Sequence, residues 1–144
     1  MMDKIYINTD GGARGNPGPA AIGIVFFNQN EEIIYKHKET IGTATNNQAE
    51  YKAIIKALEL LQKSKWFREN NHKKDYKIIC RLDSQLVVEQ ISGNYKIKND
   101  GIKELIADLK RHLENIGISI EFLYIPRNQN KLADKLVNLA LDSK

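Results

Sequence analysis

The sequence carries a single cysteine in 144 residues, which excludes an internal disulfide. That residue, Cys80, sits in the apolar run Ile78-Ile79-Cys80, the setting of a buried, inert thiol in a protein from a reducing compartment. No stretch of about 18 apolar residues occurs, so a membrane-spanning helix is not expected. The start, Met1-Met2-Asp3-Lys4-Ile5, turns polar too soon for a secretory leader, and the expected location is the cytoplasm. Internal repeats and low-complexity tracts are absent. Charge of one sign is also scarce: 22 Lys+Arg against 18 Asp+Glu leave a net +4. A balance this modest permits contact with nucleic acid without implying it.

What is present is the composition of a folded chain, 42% hydrophobic and 28% charged. Its length suits one domain over residues 1–144, expected to act as a monomer. Residues 4–10 read as a strand, ended by the Gly/Pro-dense stretch 11–19, which reads as a long shaped loop. Residues 20–28 and 32–41 read as two further strands joined at Asn28-Gln29-Asn30. From Asn47 the period changes, and Ala49, Ala53, Ile54, Ala57, Leu58 and Leu61 stripe an amphipathic helix. Residues 63–77 show no period and read as a basic surface connection. An apolar strand over 76–83 follows, of the kind covered by helices on both faces. Then come a helix opened by Ser84 and closed by Gly93, a helix over 100–115 stopped at Gly117, a strand over 118–125, and a last helix striped by Leu132, Ala133, Leu136, Val137 and Ala140. The order βββαβααβα predicts a mixed α/β domain.

Four acids fall where such a fold gathers distant residues: Asp10 and Asp83 at the ends of the first and fourth strands, Glu50 and Asp134 in first turns of helices. If those strands lie parallel and adjacent, their carboxyl ends share the sheet edge where α/β proteins place ligands. Each acid also has an ordinary reading. Asp10-Gly11-Gly12 suits a turn, Asp83 suits a helix cap, and Asp134 suits the positive end of a helix dipole. Glu50 follows a capping-box spacing of Thr45 with Gln48. Only as a set do the four point to chemistry.

The segments Thr9-Asp10-Gly11-Gly12, Gly15-Asn16-Pro17-Gly18, Thr45-Asn46-Asn47-Gln48-Ala49-Glu50, Asp83-Ser84-Gln85 and Asn130-Lys131-Leu132-Ala133-Asp134 resemble the ribonuclease H family, type 1, from first strand to last helix. The resemblance implies a mixed five-stranded sheet with helices on both faces. It also implies hydrolysis of the RNA strand of RNA/DNA hybrids, leaving 5′-phosphate and 3′-hydroxyl ends. Asp10, Glu50, Asp83 and Asp134 would be both the catalytic residues and the metal ligands, for two Mg²⁺ or Mn²⁺ ions. The chemistry accords with the residue types: phosphodiester hydrolysis suits a pair of divalent ions about 3.5–4 Å apart, and hard ions take carboxylate oxygens.

By the same resemblance Gly11, Gly12, Asn46, Asn47, Gln48 and Gln85 would read the minor groove and 2′-hydroxyls of the RNA strand. Asn16 and Thr45 would hold a phosphate of the DNA strand. Arg127 stands where many relatives have a histidine; it can attract phosphate but cannot accept a proton. Many relatives also carry a long basic helix and loop, whereas here only residues 94–99 separate Gly93 from Asp100. Lys96, Lys98 and the 63–77 stretch could grip the backbone instead, or simply be solvated. Two other classes compete: a hybrid-binding module without catalysis, which the full acid set opposes, and a nucleotide-binding regulatory protein. The Gly-rich loop fits neither G-x-x-x-x-G-K-[ST] nor G-x-G-x-x-G, which disfavours the latter.

Overall fold

The computed structural model describes residues 4–70 and 76–143. Strands β1 (Lys4–Ala13), β2 (Gly18–Phe27), β3 (Ile33–Ala44), β4 (Lys77–Leu82) and β5 (Ile120–Tyr124) form one sheet in the order β3-β2-β1-β4-β5. The first three are antiparallel neighbours, while β1–β4 and β4–β5 are parallel. Helices α1 (Asn46–Lys63), α2 (Lys65–Asn70), α3 (Gln85–Ile91), α4 (Asp100–Ile116) and α5 (Lys131–Asp142) complete the chain. No described helix is long and apolar enough to cross a membrane.

Alternation along β2 shows why the sheet is covered on both sides. Ile22, Ile24 and Phe26 join Tyr51, Ile54, Leu58 and Leu61 of α1 in the main core. Ala21 packs with Val137 and Ala140 of α5, and Val25 with Ala133 and Leu136 of the same helix. A strand apolar on both faces is the signature of a central position.

Two glycines let the helices come closer than side chains would allow. A Cβ at Gly11 would collide with the Ala49 carbonyl of α1, and one at Gly23 would collide with the Ala133 carbonyl of α5. Gly23 pairs with Asp10 across β1–β2. The close approach of α5 over Gly23 therefore brings Asp134, the next residue after Ala133, toward Asp10, while the approach of α1 over Gly11 does the same for Glu50.

Two expectations need correction. Residues 11–19 are not a long loop: β1 continues through Gly11, Gly12 and Ala13, paired with Ile22, Ala21 and Ala20, and only residues 14–17 turn. Gly11 serves close approach, whereas Gly15, at φ +101°, serves the short turn. The described part of 63–77, expected to be a basic surface connection, includes a short helix, α2. Ser64 ends α1 and accepts the Phe67 N–H at 3.1 Å, starting α2, whose Phe67 is buried and whose Trp66 meets Tyr76 edge-on at 5.3 Å. Six residues are too few to show a period. Lys73 and Lys74 of that stretch lie outside the described residues.

Gly23→Ala is expected to lower the unfolding free energy by about 1–3 kcal/mol, since overpacking here forces the α5 backbone off the sheet. Denaturant unfolding checks this; an unchanged midpoint would mean that α5 does not rest on Gly23.

Candidate active site

The parallel register of β1 and β4 ends at Thr9↔Leu82, so Asp10 and Asp83 are the next residues on adjacent strands. Asp83 does not cap the helix that follows it. That task belongs to Ser84, whose hydroxyl accepts the Val87 N–H at 3.2 Å, leaving the Asp83 carboxylate for the site. Glu50 lies one turn further into α1 than expected, since the helix begins at Asn46, whereas Asp134 does occupy the first turn of α5.

The carboxylate oxygens of Asp10, Glu50 and Asp83 come within 4.8 Å of one another. Asp134 stands outside this tight group but lines the same cavity of about 600 Å³, and its charge bears on Asp10. Burial, then the charges of Asp83 and Asp134, push the Asp10 carboxyl up to about 7. Burial likewise raises Glu50 well above the usual range, with Asp10 and Asp83 adding to it. The Glu50 Oε2 atom is buried without a hydrogen-bond partner. Crowded acids, one with an orphaned oxygen, and a cavity lined by neither histidine nor cysteine are what a hard divalent cation requires. The cluster could bind metal, and these residues fit it.

Sequence reasoning passed over Asn130 as a working residue. It is 1% exposed, and its Nδ2 donates to the Thr9 carbonyl at 2.9 Å and to Asp83 Oδ2 at 3.2 Å. One amide thus ties the start of α5 to both acid-bearing strands. No local pattern signals this, because its partners lie 121 and 47 residues away.

The expected substrate residues divide among three places. Gly11, Gly12, Asn46 and Arg127 line the acid cavity. Thr45, Asn47 and Gln48 line a second cavity of about 330 Å³ with Lys96 and Lys98. Asn16 and Gln85 are exposed and line neither.

Several of these side chains are already half-committed. Asn16 Oδ1 accepts the Asn46 N–H at 2.9 Å, and Asn46 Oδ1 accepts the Ala13 N–H at 2.8 Å, clamping the β1–β2 turn to α1. The Thr45 hydroxyl accepts the Gln48 N–H, while Gln48 Oε1 accepts the Thr45 N–H, completing the capping box. In each amide the oxygen is used and the NH2 group is left to donate. Arg14, also on the cavity wall, is held by Asp142 at 2.6 Å.

The profile of the reverse transcriptase-like family matches residues 8–140. Among solved structures, the LC11 ribonuclease H1 isolated from compost is 42% identical, with a TM-score of 0.87 over 98% of this chain and 97% of that one. The same LC11 enzyme has been solved in complex with an RNA/DNA hybrid. The ribonuclease H1 of Halobacterium salinarum is 36% identical, with a TM-score of 0.84 over 98% and 99% of the two chains. A bifunctional protein of Mycobacterium tuberculosis is 36% identical over 97% of this chain. This chain spans 36% of that mycobacterial protein's length and 65% of the curated Halobacterium ribonuclease HI.

The raised carboxyls set a pH dependence. A group with a raised folded pKa keeps its proton in the fold after the unfolded chain has released it. Metal-free stability therefore falls as pH rises from about 4 through about 7. In EDTA, Asp10→Asn is expected to melt about 2–8 °C above wild type at pH 8, with the gap closing near pH 4. Melting curves across that range decide it, and an Asn variant that is less stable at pH 8 would contradict it.

A second outcome concerns Asn130. Asn130→Ala should cost about 1–3 kcal/mol in denaturant unfolding, through the orphaned Thr9 carbonyl. Asn130→Asp should cost more at neutral pH than near pH 4, because it sets another acid beside Asp83.

Proposed function

We propose, since this chain belongs to the ribonuclease H family, type 1, that it hydrolyses the RNA strand of RNA/DNA hybrids, leaving 5′-phosphate and 3′-hydroxyl ends. The observation that carries the reading is the close cluster of Asp10, Glu50 and Asp83, the first two buried, with the unpartnered Glu50 oxygen. The LC11 complex with hybrid supports the substrate class.

Asp10, Glu50, Asp83 and Asp134 would hold two Mg²⁺ or Mn²⁺ ions. When bound, such ions supply an activated water and relieve charge on the departing 3′ oxygen. The chain's own residues do the rest. Asn130 fixes the position of Asp83. Gly12 leaves its part of the cavity wall without a side chain, so a sugar-phosphate backbone can approach closely. The free NH2 groups of Asn46 and Gln48 donate to RNA-strand hydroxyl oxygens, and that of Asn16, with the Thr45 hydroxyl, to a phosphate of the DNA strand, a contact that positions without reading sequence. Arg127, exposed on the cavity rim, attracts phosphate as a permanent cation.

Incubation with end-labelled hybrid, with and without Mg²⁺, tests the reading. Cleavage should require the metal, give 5′-phosphate ends, spare DNA/DNA duplex and vanish in Asp10→Asn. Products bearing 2′,3′-cyclic phosphate, or full activity in EDTA, would defeat it. Hybrid binding by wild type without cleavage would point instead to a binding module.

Arg127→Ala should weaken binding modestly and reduce its salt dependence, whereas Asp134→Asn should remove most activity. Equal losses with unchanged binding would place Arg127 in the chemical step.

A further inference from the structure

At the far end of α1 from the acids lies a surface that the nuclease reading does not use. A cavity of about 400 Å³ opens between the start of β3 and the α1–α2 junction, with Ile34, Tyr35, Leu60 and Trp66 forming its apolar wall and Lys63 and Lys65 its rim. Ile33, Ile34 and Tyr35 are three consecutive apolar residues on the edge strand, 50%, 46% and 46% exposed. Contiguous apolar exposure of this kind marks a surface that something covers. The walls are preformed: Tyr35 meets Phe26 edge-on at 5.8 Å, and Trp66 meets Tyr76 at 5.3 Å.

Charge selects the occupant. Among the described residues Lys63 makes no ion pair. Lys65 only faces Glu69 at 3.7 Å, a loose pair between largely exposed side chains, which an incoming carboxylate can displace. We propose that this cavity docks an acidic peptide segment of a partner protein, seating one bulky apolar side chain between Tyr35 and Trp66 and its carboxylates on Lys63 and Lys65.

Nucleic acid fits less well. Two rim lysines make too short a basic stripe for a polyphosphate track, but they suffice to seat a short run of carboxylates. Glu50 and Lys63 are separated by 13 residues of α1, about 20 Å at 1.5 Å per residue. A peptide held here leaves the acid cavity open, so partner and hybrid can be bound together.

Trp66 is the sole tryptophan of the sequence and lines the cavity, so its emission reports occupancy directly. The probes are an acetylated peptide Asp-Glu-Asp-Asp-Leu-Phe, its counterpart with four lysines replacing the acids, and an oligothymidylate of about twelve nucleotides. The acidic peptide should change Trp66 emission saturably, with an affinity that falls several-fold between about 50 and 300 mM salt. Lys63→Glu with Lys65→Glu should weaken it about tenfold, and Ile34→Asp should weaken it comparably through the apolar wall. Ile34→Asp should cleave hybrid at the wild-type rate, because it touches neither the acid cavity nor the basic stretch. No emission change with the acidic peptide, equal binding of the basic peptide, displacement by the oligothymidylate, or unaltered affinity in the lysine variant would each overturn the proposal. Failure of wild type to cleave hybrid would bear on the nuclease reading alone.

Discussion

Like charges crowded out of water are the constraint around which the rest of this molecule is arranged. Three carboxylates share a space of 4.8 Å, and two of them hold their protons far more tightly than free acids do. Among the described residues no lysine or arginine forms an ion pair with these carboxylates. Arg14 is occupied by Asp142, and Arg127 stands exposed at the rim. The structure instead enforces the crowding: parallel pairing of β1 with β4 sets Asp10 beside Asp83, Gly11 admits α1 and Glu50, and Gly23 admits α5 and Asp134. Asn130 then ties Asp83 to the start of α5. A site built so that its anions cannot move apart is suited to cations, which would relieve its strain.

The same local contacts serve both stability and recognition at the start of α1. The capping box and the Asn16–Asn46 clamp use the oxygens of three side-chain amides to hold the β1–β2 turn against the helix. What remains pointing outward is a set of donors, suited to hydroxyl and phosphate oxygens. The far end of α1 has the opposite character, with an apolar cavity rimmed by lysines. One helix therefore carries two chemically distinct ends, about 20 Å apart.

The parts of this arrangement that were legible in the sequence are those carried by periodicity and by motif. Alternation and helical spacing identified the five strands and four of the helices, while the parallel β1–β4 pair was a condition on which the meeting of the acids rested. The Thr45–Gln48 box was readable because both partners lie within one turn. The rest depended on contacts that sequence does not display. The dense glycines of 11–19 read as a loop, yet Gly11 is glycine because a helix backbone presses on it. Helix α2 is held by Phe67 in the core and by Trp66 against Tyr76, not by a repeating stripe. Asn130 was visible as a letter in a motif, while its work on Asp83 required the folded chain.

The most direct test of the central claim is the melting temperature of wild-type protein at pH 8, titrated with Mg²⁺ against NaCl of matched ionic strength. If the acids form a strained cation site, the melting temperature rises with Mg²⁺ and saturates, as for any ligand that binds only the folded state. The rise should disappear when Asp10 and Asp83 are both changed to Asn. A melting temperature that follows ionic strength alone, identical in the two salts, would contradict the account.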